Sequence, residues 1–495
     1  MNPISKTDFI LYRECHKNAW YKIHKPDVYC QSELSEFEKN IIETGNEVDE
    51  LVRGLFSGGV VVEGRGEEAL LLTEKYIKEK KEVIFQPVFK KDNFLAAVDV
   101  LEFDNKADVY NIYEVKSSSE VDEKVHFFDL AFQVNLLKKV GLKIGKISLI
   151  HLNSEYVRFG NIDLSKIFLV DNVTEQINEL LPQVEMEMDA ALEYLSRKTE
   201  PNGYCCCVYK GRSKHCTTFA HANPDMPEYG VHDISRIGLS KRKLEDLIDS
   251  NIFHFKDIPE GMSFSDIQQN QIDAYINDKI LIKKEEIKRE LEQLVFPLYF
   301  LDYETFPSAL PRFNGFSPYN QIPFQYSLHV LHSVDAEPEH YEFLHTGLDD
   351  PSPHLFETMK KHIGDKGSVI VWNKKFESDI NKKIGIRIPE AEKFMENINS
   401  RIYDLMNVFS KQMYVHKDFY GSCSIKYILP VVVPGLSYKD LEIKEGGTAS
   451  QSWNKITTAK IDQKEKDTIA KNLLKYCELD TYAMYAIWRE LNKIK

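Results

Sequence analysis

Long apolar runs are absent from this sequence of 495 residues. No stretch reaches the roughly 20 apolar residues that a membrane-spanning helix needs. The first twelve residues also lack the basic and apolar regions of a secretory signal. We therefore expect a cytoplasmic protein with no membrane partner. Its hydrophobic fraction of 43% and charged fraction of 28% are typical of a globular chain, and its length favours two or three domains.

Negative charge outnumbers positive charge in this chain. The chain has 63 Lys and Arg against 77 Asp and Glu, which gives a formal net charge of −14. This balance excludes a surface that is basic throughout, but it allows a local basic groove. Two short basic clusters are candidates for contact with DNA, and a solvated surface is the alternative for each: Lys210, Arg212 and Lys214, and Lys241, Arg242 and Lys243.

Cysteine is infrequent too, with eight residues in the chain. This number is small for a secreted scaffold held together by disulfides. Four of the eight nevertheless crowd into one short segment: Cys205, Cys206, Cys207 and Cys216. In a reducing compartment such crowding indicates a bound metal rather than disulfides.

Acidic residues recur in an order that suggests a metal site. The apolar run 296–301 predicts a buried strand, which continues into Asp302 and Glu304. Side chains alternate along a strand, so these two carboxylates share one face. There they are poor core residues but good ligands for a hard divalent cation. The segments 373–377 and 476–480 supply a third and a fourth acid.

This ordered set resembles the DEDD exonuclease superfamily, the DnaQ-like 3′-to-5′ nucleases with an RNase H-like fold. The resemblance implies that four acids hold two ions, Mg²⁺ or Mn²⁺, and that a tyrosine positions the attacking water: Asp302, Glu304, Glu377 and Asp480, with Tyr476. Two such ions can activate water and stabilise the leaving oxygen of a phosphodiester. The family usually has Asp where Glu377 stands, so Asp379 is the alternative third ligand.

A second group of polar residues interrupts predicted strands in the first half of the chain. Asp99 lies in an otherwise apolar strand predicted at 94–103. Glu114 and Lys116 lie on one face of a strand predicted at 109–116. An acid that faces a second acid and a lysine could bind a metal and stabilise the charge that develops on a phosphate.

This group resembles the RecB-like branch of the PD-(D/E)XK nuclease superfamily, in which a glutamine follows on the next helix. Gln133 lies on a helix predicted at 127–140. The resemblance implies that Asp99 and Glu114 are metal ligands, that Lys116 is catalytic, and that Gln133 supports the placement of substrate or water.

The RecB-like branch usually carries a histidine after a glycine in an early helix. Here Gly45 is followed by Glu47 and Asp49, and no histidine is present at this place. Either acid could replace the histidine as a metal ligand. A solvated helix face is the alternative interpretation.

The cysteines add to this resemblance. One early cysteine and three late ones are similar to the iron–sulfur members of the RecB-like branch, in which a cluster joins the two ends of the domain. The resemblance implies a [4Fe–4S] cluster, for which four thiolates are the usual ligands: Cys15, Cys205, Cys207 and Cys216. The choice within the triplet 205–207 stays open. A zinc site with four thiolate ligands is the alternative.

The sequence therefore predicts an α/β protein of several domains, similar to a bacterial fusion of two nucleases. We expect a RecB-like PD-(D/E)XK restriction-endonuclease-like domain at 1–220, a helical linker module at 221–295 and an RNase H-like DEDD exonuclease domain at 296–495. The expected function is metal-dependent hydrolysis of DNA from single-stranded or duplex ends, in DNA repair or in defence against foreign DNA. One alternative is RNA processing. Another is an active half joined to a non-catalytic half that binds nucleic acid.

Overall fold

The computed structural model describes residues 2–29 and 36–494. This part of the chain is mixed α/β and forms two compact units. Each unit combines two stretches of the chain: Met1–Met226 with Ala309–Asn320, and Pro227–Ser308 with Gln321–Lys495. Residues 227–295, most of the predicted helical module, therefore belong to the second unit.

The first unit contains short strands interspersed with helices. Its strands are β1 (Ile4–Ser5), β2 (Val60–Val61), β3 (Val83–Phe85), β4 (Val88–Lys91), β5 (Phe94–Ala97), β6 (Val100–Asp104), β7 (Val109–Lys116), β8 (Ile144–Leu152) and β9 (Phe168–Asn172). Its helices are α1 (Lys6–Glu14), α2 (His16–His24), α3 (Pro26–Tyr29), α4 (Glu36–Val52), α5 (Glu67–Lys78), α6 (Phe128–Lys139), α7 (Leu164–Ile167), α8 (Thr174–Leu195) and α9 (Phe219–Ala222).

The main sheet of the first unit is mixed, with the strand order β2-β3-β6-β7-β8-β9. Strand β7 lies inside this sheet, antiparallel to β6 and parallel to β8. Its bounds, Val109–Lys116, are those predicted from the sequence. A smaller sheet has the order β1-β5-β4.

The single strand predicted at 94–103 is wrong. The structure divides it into β5, which joins the smaller sheet, and β6, which joins the main sheet. Asp99 lies at the break between them, where its carbonyl accepts a hydrogen bond from the backbone N–H of Gln86. Gln86 has a φ of 55°, a conformation that ends regular pairing. An apolar run alone cannot show that a strand changes sheets.

The second unit contains longer elements. Its strands are β10 (Leu281–Ile282), β11 (Leu298–Pro307), β12 (Gln321–Leu331), β13 (Glu339–Leu344), β14 (Ser368–Val371), β15 (Ile402–Asp404) and β16 (Tyr414–Val415). Its helices are α10 (Lys241–Asp249), α11 (Asp266–Ile276), α12 (Lys284–Leu291), α13 (Pro351–His362), α14 (Lys374–Arg387), α15 (Glu392–Ser400), α16 (Asn407–Ser410), α17 (Ile425–Val432), α18 (Gly446–Thr458) and α19 (Gln463–Ile494).

The sheet of the second unit has the order β13-β12-β11-β14-β15. Strand β12 is antiparallel to both of its neighbours, whereas β14 is parallel to β11 and to β15. The two faces of β11 pack against different helices, as its alternating side chains require. Tyr299, Leu301 and Tyr303 join the core that includes α13, α14 and α15. Phe300, on the opposite face, contacts the rings of Tyr485 and Trp488 on α19.

Polar caps fix where two helices near this sheet begin. Asp350 accepts a hydrogen bond from the backbone N–H of Ser352 at the start of α13, and Pro351 occupies the first helical position. Asn373 caps α14 through the N–H of Phe376. In the part of the chain that the structure describes, no helix is both long enough and apolar enough to cross a bilayer.

Candidate functional site

Three predicted acids of the second unit meet in the structure. Asp302 and Glu304 lie on the face of β11 that α19 covers, and α19 carries Asp480. One carboxylate oxygen from each residue lies within 4.8 Å of the other two. The pairing of β11 with β12 shifts its register directly after Glu304, so the shared face of the two β11 acids is preserved up to that point. Three of the four acids predicted as metal ligands thus converge, whereas Glu377 lies outside this group.

Burial and mutual repulsion make this acidic cluster unfavourable without a cation. Burial, followed by the charge of Asp480, raises the pKa of Asp302 and of Glu304 well above the ordinary carboxyl range. Burial also raises the pKa of Asp480 to about 7. Lys426 on α17 opposes these shifts for Glu304 and Asp480 but does not cancel them. A bound divalent cation would stabilise the ionised carboxylates and reverse the shifts.

Glu377 lies at the beginning of α14 and is only 2% exposed. Its Oε2 atom has no hydrogen-bond partner among the described residues. Burial raises its pKa to about 8, with a further contribution from Asp404. Glu377 in turn raises the pKa of Asp302, so the two carboxyls are neighbours. Asp379, the alternative ligand, is exposed.

Tyr476 is buried beside the same cluster, one helical turn before Asp480. Burial raises the pKa of its hydroxyl, and Asp480, Glu304 and Asp302 raise it further. The next residue, Cys477, is fully buried, and its thiol lies 3.8 Å from Oδ2 of Asp302. The predicted tyrosine therefore lies beside all three convergent acids.

Sequence reasoning missed two residues of this site. The hydroxyl of Tyr438 donates a buried hydrogen bond of 2.6 Å to Oδ1 of Asp480. The ammonium of Lys426 lies 5.8 Å from the ring centre of Tyr438 and 5.7 Å from that of Tyr476. Neither residue stands in a recognisable motif, and the segment that carries both has no spacing that signals a site.

The first unit brings together three of its predicted residues on β7 and α6, namely Glu114, Lys116 and Gln133. Oε1 of Glu114 accepts hydrogen bonds from the ammonium groups of Lys116 and Lys6, each at 2.8 Å. Its Oε2 accepts one from the amide of Gln133 at 2.7 Å. Lys116 and Gln133 also bind Asp129, at 2.7 Å and 3.1 Å. Both oxygens of Glu114 therefore already have strong donors.

Asp99, the fourth predicted residue of the first unit, contacts the backbone of β7 beside Glu114 and Lys116. Its Oδ2 accepts a hydrogen bond of 2.8 Å from the backbone N–H of Val115, and its Oδ1 accepts one of 3.1 Å from the amide of Gln86. The same amide donates to Asp49 at 3.1 Å. Of the two acids proposed to replace the usual histidine, Asp49 thus lies next to Asp99, whereas Glu47 is exposed.

The charges at this site have opposite effects on its two central acids. Burial and the neighbouring Glu114 raise the pKa of Asp99 to about 7. Burial would also raise the pKa of Glu114, but Lys116 and Lys6 outweigh it and lower that pKa. An open cavity of about 630 Å³ adjoins the group and is lined by Asp99, Lys116 and Asp49. No local pattern pointed to Lys6, which lies 108 residues before Glu114.

The four cysteines predicted as ligands also meet. The sulfur atoms of Cys15, Cys205, Cys207 and Cys216 all lie within 4.8 Å of one another. Those of Cys205 and Cys216 are 3.9 Å apart, close to the edge of about 3.8 Å in a tetrahedron with Zn–S bonds of about 2.3 Å. Cys206 is exposed and points its thiol at the carbonyl of Glu14. The cluster suits a bound metal centre.

The two basic clusters are partly engaged in local contacts. Lys210 donates a hydrogen bond of 3.0 Å to the carbonyl of Glu14, beside the cysteines. Lys243 lies 4.7 Å above the ring centre of Phe264. Lys214 and Arg242 are exposed. The side chain of Lys241 lies outside the described residues.

Comparison with known proteins finds similarity over parts of the chain. Residues 299–424 match a protein family described as "Domain of unknown function (DUF2779)". The chain is 26% identical to "Uncharacterized protein MG366 homolog" of Mycoplasma pneumoniae over 210 residues. The aligned region covers 38% of this chain and 31% of that protein. The chain is also 23% identical to "Uncharacterized protein MG366" of Mycoplasma genitalium over 234 residues. That aligned region covers 44% of this chain and 35% of the relative. The matched regions thus span about a third of the length of these curated relatives. The family match includes Asp302, Glu304 and Glu377 and ends before Lys426.

Proposed function

We propose that this chain is a metal-dependent nuclease and that its second unit hydrolyses phosphodiester bonds in DNA. One observation carries the proposal. Asp302, Glu304 and Asp480 place carboxylate oxygens within 4.8 Å of one another in a buried site. Only a strong compensating charge makes such a cluster favourable, and oxygen ligands of this kind suit Mg²⁺ or Mn²⁺.

The residues present fit two divalent ions. Asp302, Glu304 and Asp480 would hold them, together with Glu377, whose Oε2 lacks a partner among the described residues. When bound, such ions activate water and stabilise the leaving oxygen of a phosphodiester. Hydrolysis adds water to phosphorus and breaks one P–O bond, which leaves a phosphate monoester and an alcohol.

The chain's own side chains then have distinct tasks. The Tyr476 hydroxyl, beside the three acids, orients the water. Tyr438 holds Asp480 through its hydrogen bond to Oδ1 and leaves the second oxygen free for a ligand. Lys426 supplies positive charge toward the site, which favours an anionic substrate.

The fold of the second unit supports the same function. If β11 is counted as the first strand of its sheet, the order is 3-2-1-4-5, and only the second strand runs against the others. This is the arrangement expected of the RNase H-like fold that the sequence resemblance implies. The first strand, β11, carries Asp302 and Glu304, and the fourth strand, β14, precedes α14, whose first turn carries Glu377.

A specific observation favours a different role for the first unit. Glu114 is bound by Lys6, Lys116 and Gln133, so a metal ion that uses its carboxylate must displace a donor. We therefore assign the main hydrolytic activity to the second unit. The RecB-like group of the first unit serves as a nucleic-acid-binding site, and Arg53, Arg65 and Lys116 line its open cavity.

We also propose that the four clustered thiolates hold one structural metal centre in the first unit. The sequence resemblance favours a [4Fe–4S] cluster, in which each thiolate binds its own iron atom. The short separation of Cys205 and Cys216 favours a single Zn²⁺, which all four thiolates share. Iron and zinc analysis of anaerobically purified protein, with its visible absorbance, distinguishes the two.

The nuclease proposal is tested by measuring the hydrolysis rates of end-labelled single-stranded DNA and of a matched RNA strand in the presence of Mn²⁺. We expect Asp302→Asn and Asp480→Asn to slow DNA hydrolysis by about 100-fold or more. Asp379→Asn, which changes an exposed acid on α14, is the matched control and should hydrolyse DNA like the parent. Equal rates in all variants would overturn the proposal, and faster cleavage of the RNA strand would identify an RNA-processing enzyme.

The same assay shows whether the first unit only binds nucleic acid or also hydrolyses it. If it only binds nucleic acid, Asp99→Asn leaves hydrolysis of saturating DNA unchanged, and Lys116→Ala weakens binding. If it has its own activity, Asp99→Asn removes a fraction of hydrolysis that Asp302→Asn spares.

A further inference from the structure

A third group of possible metal ligands shares no residue with the two acidic sites and lies between the end of β13 and the first turn of α13. Nδ/Nε and carboxylate atoms of His345, Asp349 and His354 lie within 4.8 Å of one another. Nε2 of His345 is 3.1 Å from Oδ1 of Asp349, and Nε2 of His354 is 2.7 Å from Oδ2. The two imidazole rings stack at 5.1 Å with an interplanar angle of 15°.

The backbone around this group is held at both ends. The N–H of His345 donates to the carbonyl of Phe324, which extends the pairing of β13, and its carbonyl accepts a hydrogen bond of 2.7 Å from Trp453. His354 lies in the first turn of α13, whose start is fixed by the Asp350 cap. Two histidines on anchored backbone therefore point at the same carboxylate.

Gly347 shows how closely the loop wraps around these atoms. A Cβ at this position would lie 2.8 Å from both Nε2 of His345 and Oδ1 of Asp349. These are van der Waals overlaps with two of the three possible ligand atoms. The loop therefore brings its backbone against the group, and a side chain at this position would force His345 or Asp349 to move.

We propose that His345, Asp349 and His354 form a binding site for a divalent transition metal, with Zn²⁺ as its preferred ion. Two imidazoles and one carboxylate form a common zinc ligand set when a fourth position remains open. The contacts of 3.1 Å and 2.7 Å are near the ligand–ligand separation of about 3.3 Å in a tetrahedral site with bonds of about 2.05 Å.

Hydrogen bonding alone explains this arrangement less well. Asp349 and His354 have side-chain exposures of 65% and 53%, and exposed pairs of this kind contribute little to stability. A shared ion would instead bind all three side chains and connect the end of β13 to the start of α13. Its open fourth position faces solvent and takes water or a small anion. This site is independent of the proposed nuclease activity.

The test compares zinc content after dialysis of the full-length protein against micromolar free Zn²⁺. The parent should retain one equivalent more than His354→Ala. His332→Ala, which changes another exposed histidine of the same unit, is the matched control and should retain the parent content. The cysteine cluster contributes equally to all three proteins, so the difference isolates the new site.

Two further results decide between coordination and a simple hydrogen bond. His354→Cys supplies another good zinc ligand and should restore the lost equivalent, although it removes the histidine contact. With Co²⁺ as the probe, the difference spectrum of the parent minus His354→Ala should show a weak visible band without sulfur charge transfer, because the cysteine cluster absorbs equally in both proteins. Equal zinc content in the parent and His354→Ala would overturn the proposal, as would a His354→Cys variant that binds no more zinc than His354→Ala.

Discussion

At the scale of single residues, the acidic site of the second unit is defined by negative charge that its protein neighbours compensate only in part. Three carboxylates converge, a fourth is buried nearby, and Lys426 is the cation that lowers the pKa of Glu304 and Asp480. Tyr438 adds one hydrogen bond to this group. The site is therefore stabilised only in part by its own protein neighbours, and a metal completes it.

Tyr438→Phe tests the contribution of that hydrogen bond. The substitution keeps the ring but removes the donor to Asp480, whose pKa the hydroxyl lowers. We expect the Mn²⁺ concentration for half-maximal hydrolysis to rise several-fold, with a loss of roughly 1 kcal/mol in stability. Metal titrations and chemical denaturation measure the two effects. Tyr427→Phe, at an exposed position of α17, is the control, and identical metal titrations for both variants would contradict the assigned role.

The buried carboxyls also make metal-free stability depend on pH. The folded-state pKa is about 7 for Asp480 and about 8 for Glu377, both above the ordinary range. Between about pH 4 and pH 8 the folded protein therefore binds more protons than the unfolded chain, so the free energy of unfolding decreases as the pH rises. In EDTA, the denaturation midpoint of the second unit should fall from pH 5 to pH 8, and Mn²⁺ should restore it at pH 8. Glu377→Gln should flatten this dependence on pH. A denaturation midpoint of the parent that rises from pH 5 to pH 8 in EDTA would contradict the prediction.

The cysteine cluster gives a third prediction at this scale. Cys216→Ser should release the metal of the first unit, because the serine hydroxyl is a poor replacement for a thiolate. Cys206→Ser is the matched control, since Cys206 is exposed and its thiol faces the carbonyl of Glu14. Metal analysis of both proteins checks the assignment. Loss of metal from Cys206→Ser with full retention in Cys216→Ser would show that the wrong cysteines were chosen.

At the scale of secondary structure, hydrogen bonds hold α19 against β12 beside the acids. The hydroxyl of Thr481 lies 2.7 Å from that of Ser327 and 2.8 Å from Nδ1 of His329. The amide of Gln325 donates to the carbonyl of Leu473. These contacts are buried, and they lie on both sides of Asp480 along α19, so they help to hold that carboxylate in place.

Thr481→Val tests this positioning, because valine has a similar shape and lacks the hydroxyl. Nδ1 of His329 then loses this partner, whereas the hydroxyl of Ser327 keeps its contact of 3.0 Å with Nε2 of His340. We expect a loss of about 1–3 kcal/mol in stability. Weaker Mn²⁺ binding should accompany it, because Asp480 is less well fixed. Thr468→Val on the exposed part of α19 serves as the control. Unchanged metal binding in a folded Thr481→Val protein would show that other contacts position Asp480.

Local sequence pattern predicted part of this architecture. Alternation along β11 correctly placed Asp302 and Glu304 on one face, and β7 has its predicted bounds. The strand predicted at 94–103 was wrong, because only the tertiary structure shows that β5 and β6 join different sheets. Likewise, Lys6 and Tyr438 reach their acids across 108 and 42 residues, contacts that no local pattern encodes.

At the scale of the whole molecule, the first unit is not a continuous stretch of chain. Ala309–Asn320, between β11 and β12, belongs to it. Ala309 and Leu310 join the core that contains Val48 and Phe85. Arg158 donates to the carbonyls of Pro311 and Arg312 at 2.9 Å and 2.7 Å. Residues 1–226 alone therefore lack part of their core and several hydrogen-bond acceptors.

A protein of residues 1–226 should consequently melt at a lower temperature than the first unit of the intact chain. A synthetic peptide of residues 309–320, added in trans, should raise that melting temperature, because it restores the missing packing and acceptors. A peptide of scrambled sequence is the control. An equal melting temperature with and without the native peptide would mean that this segment is dispensable.

The central claim is that the second unit gathers divalent cations on its convergent carboxylates. Anomalous diffraction from a crystal soaked in Mn²⁺ tests it most directly. Our account predicts manganese peaks in contact with Asp302, Glu304 and Asp480, and their loss in Asp302→Asn crystals. A fully occupied soak with no peak at these carboxylates would contradict it.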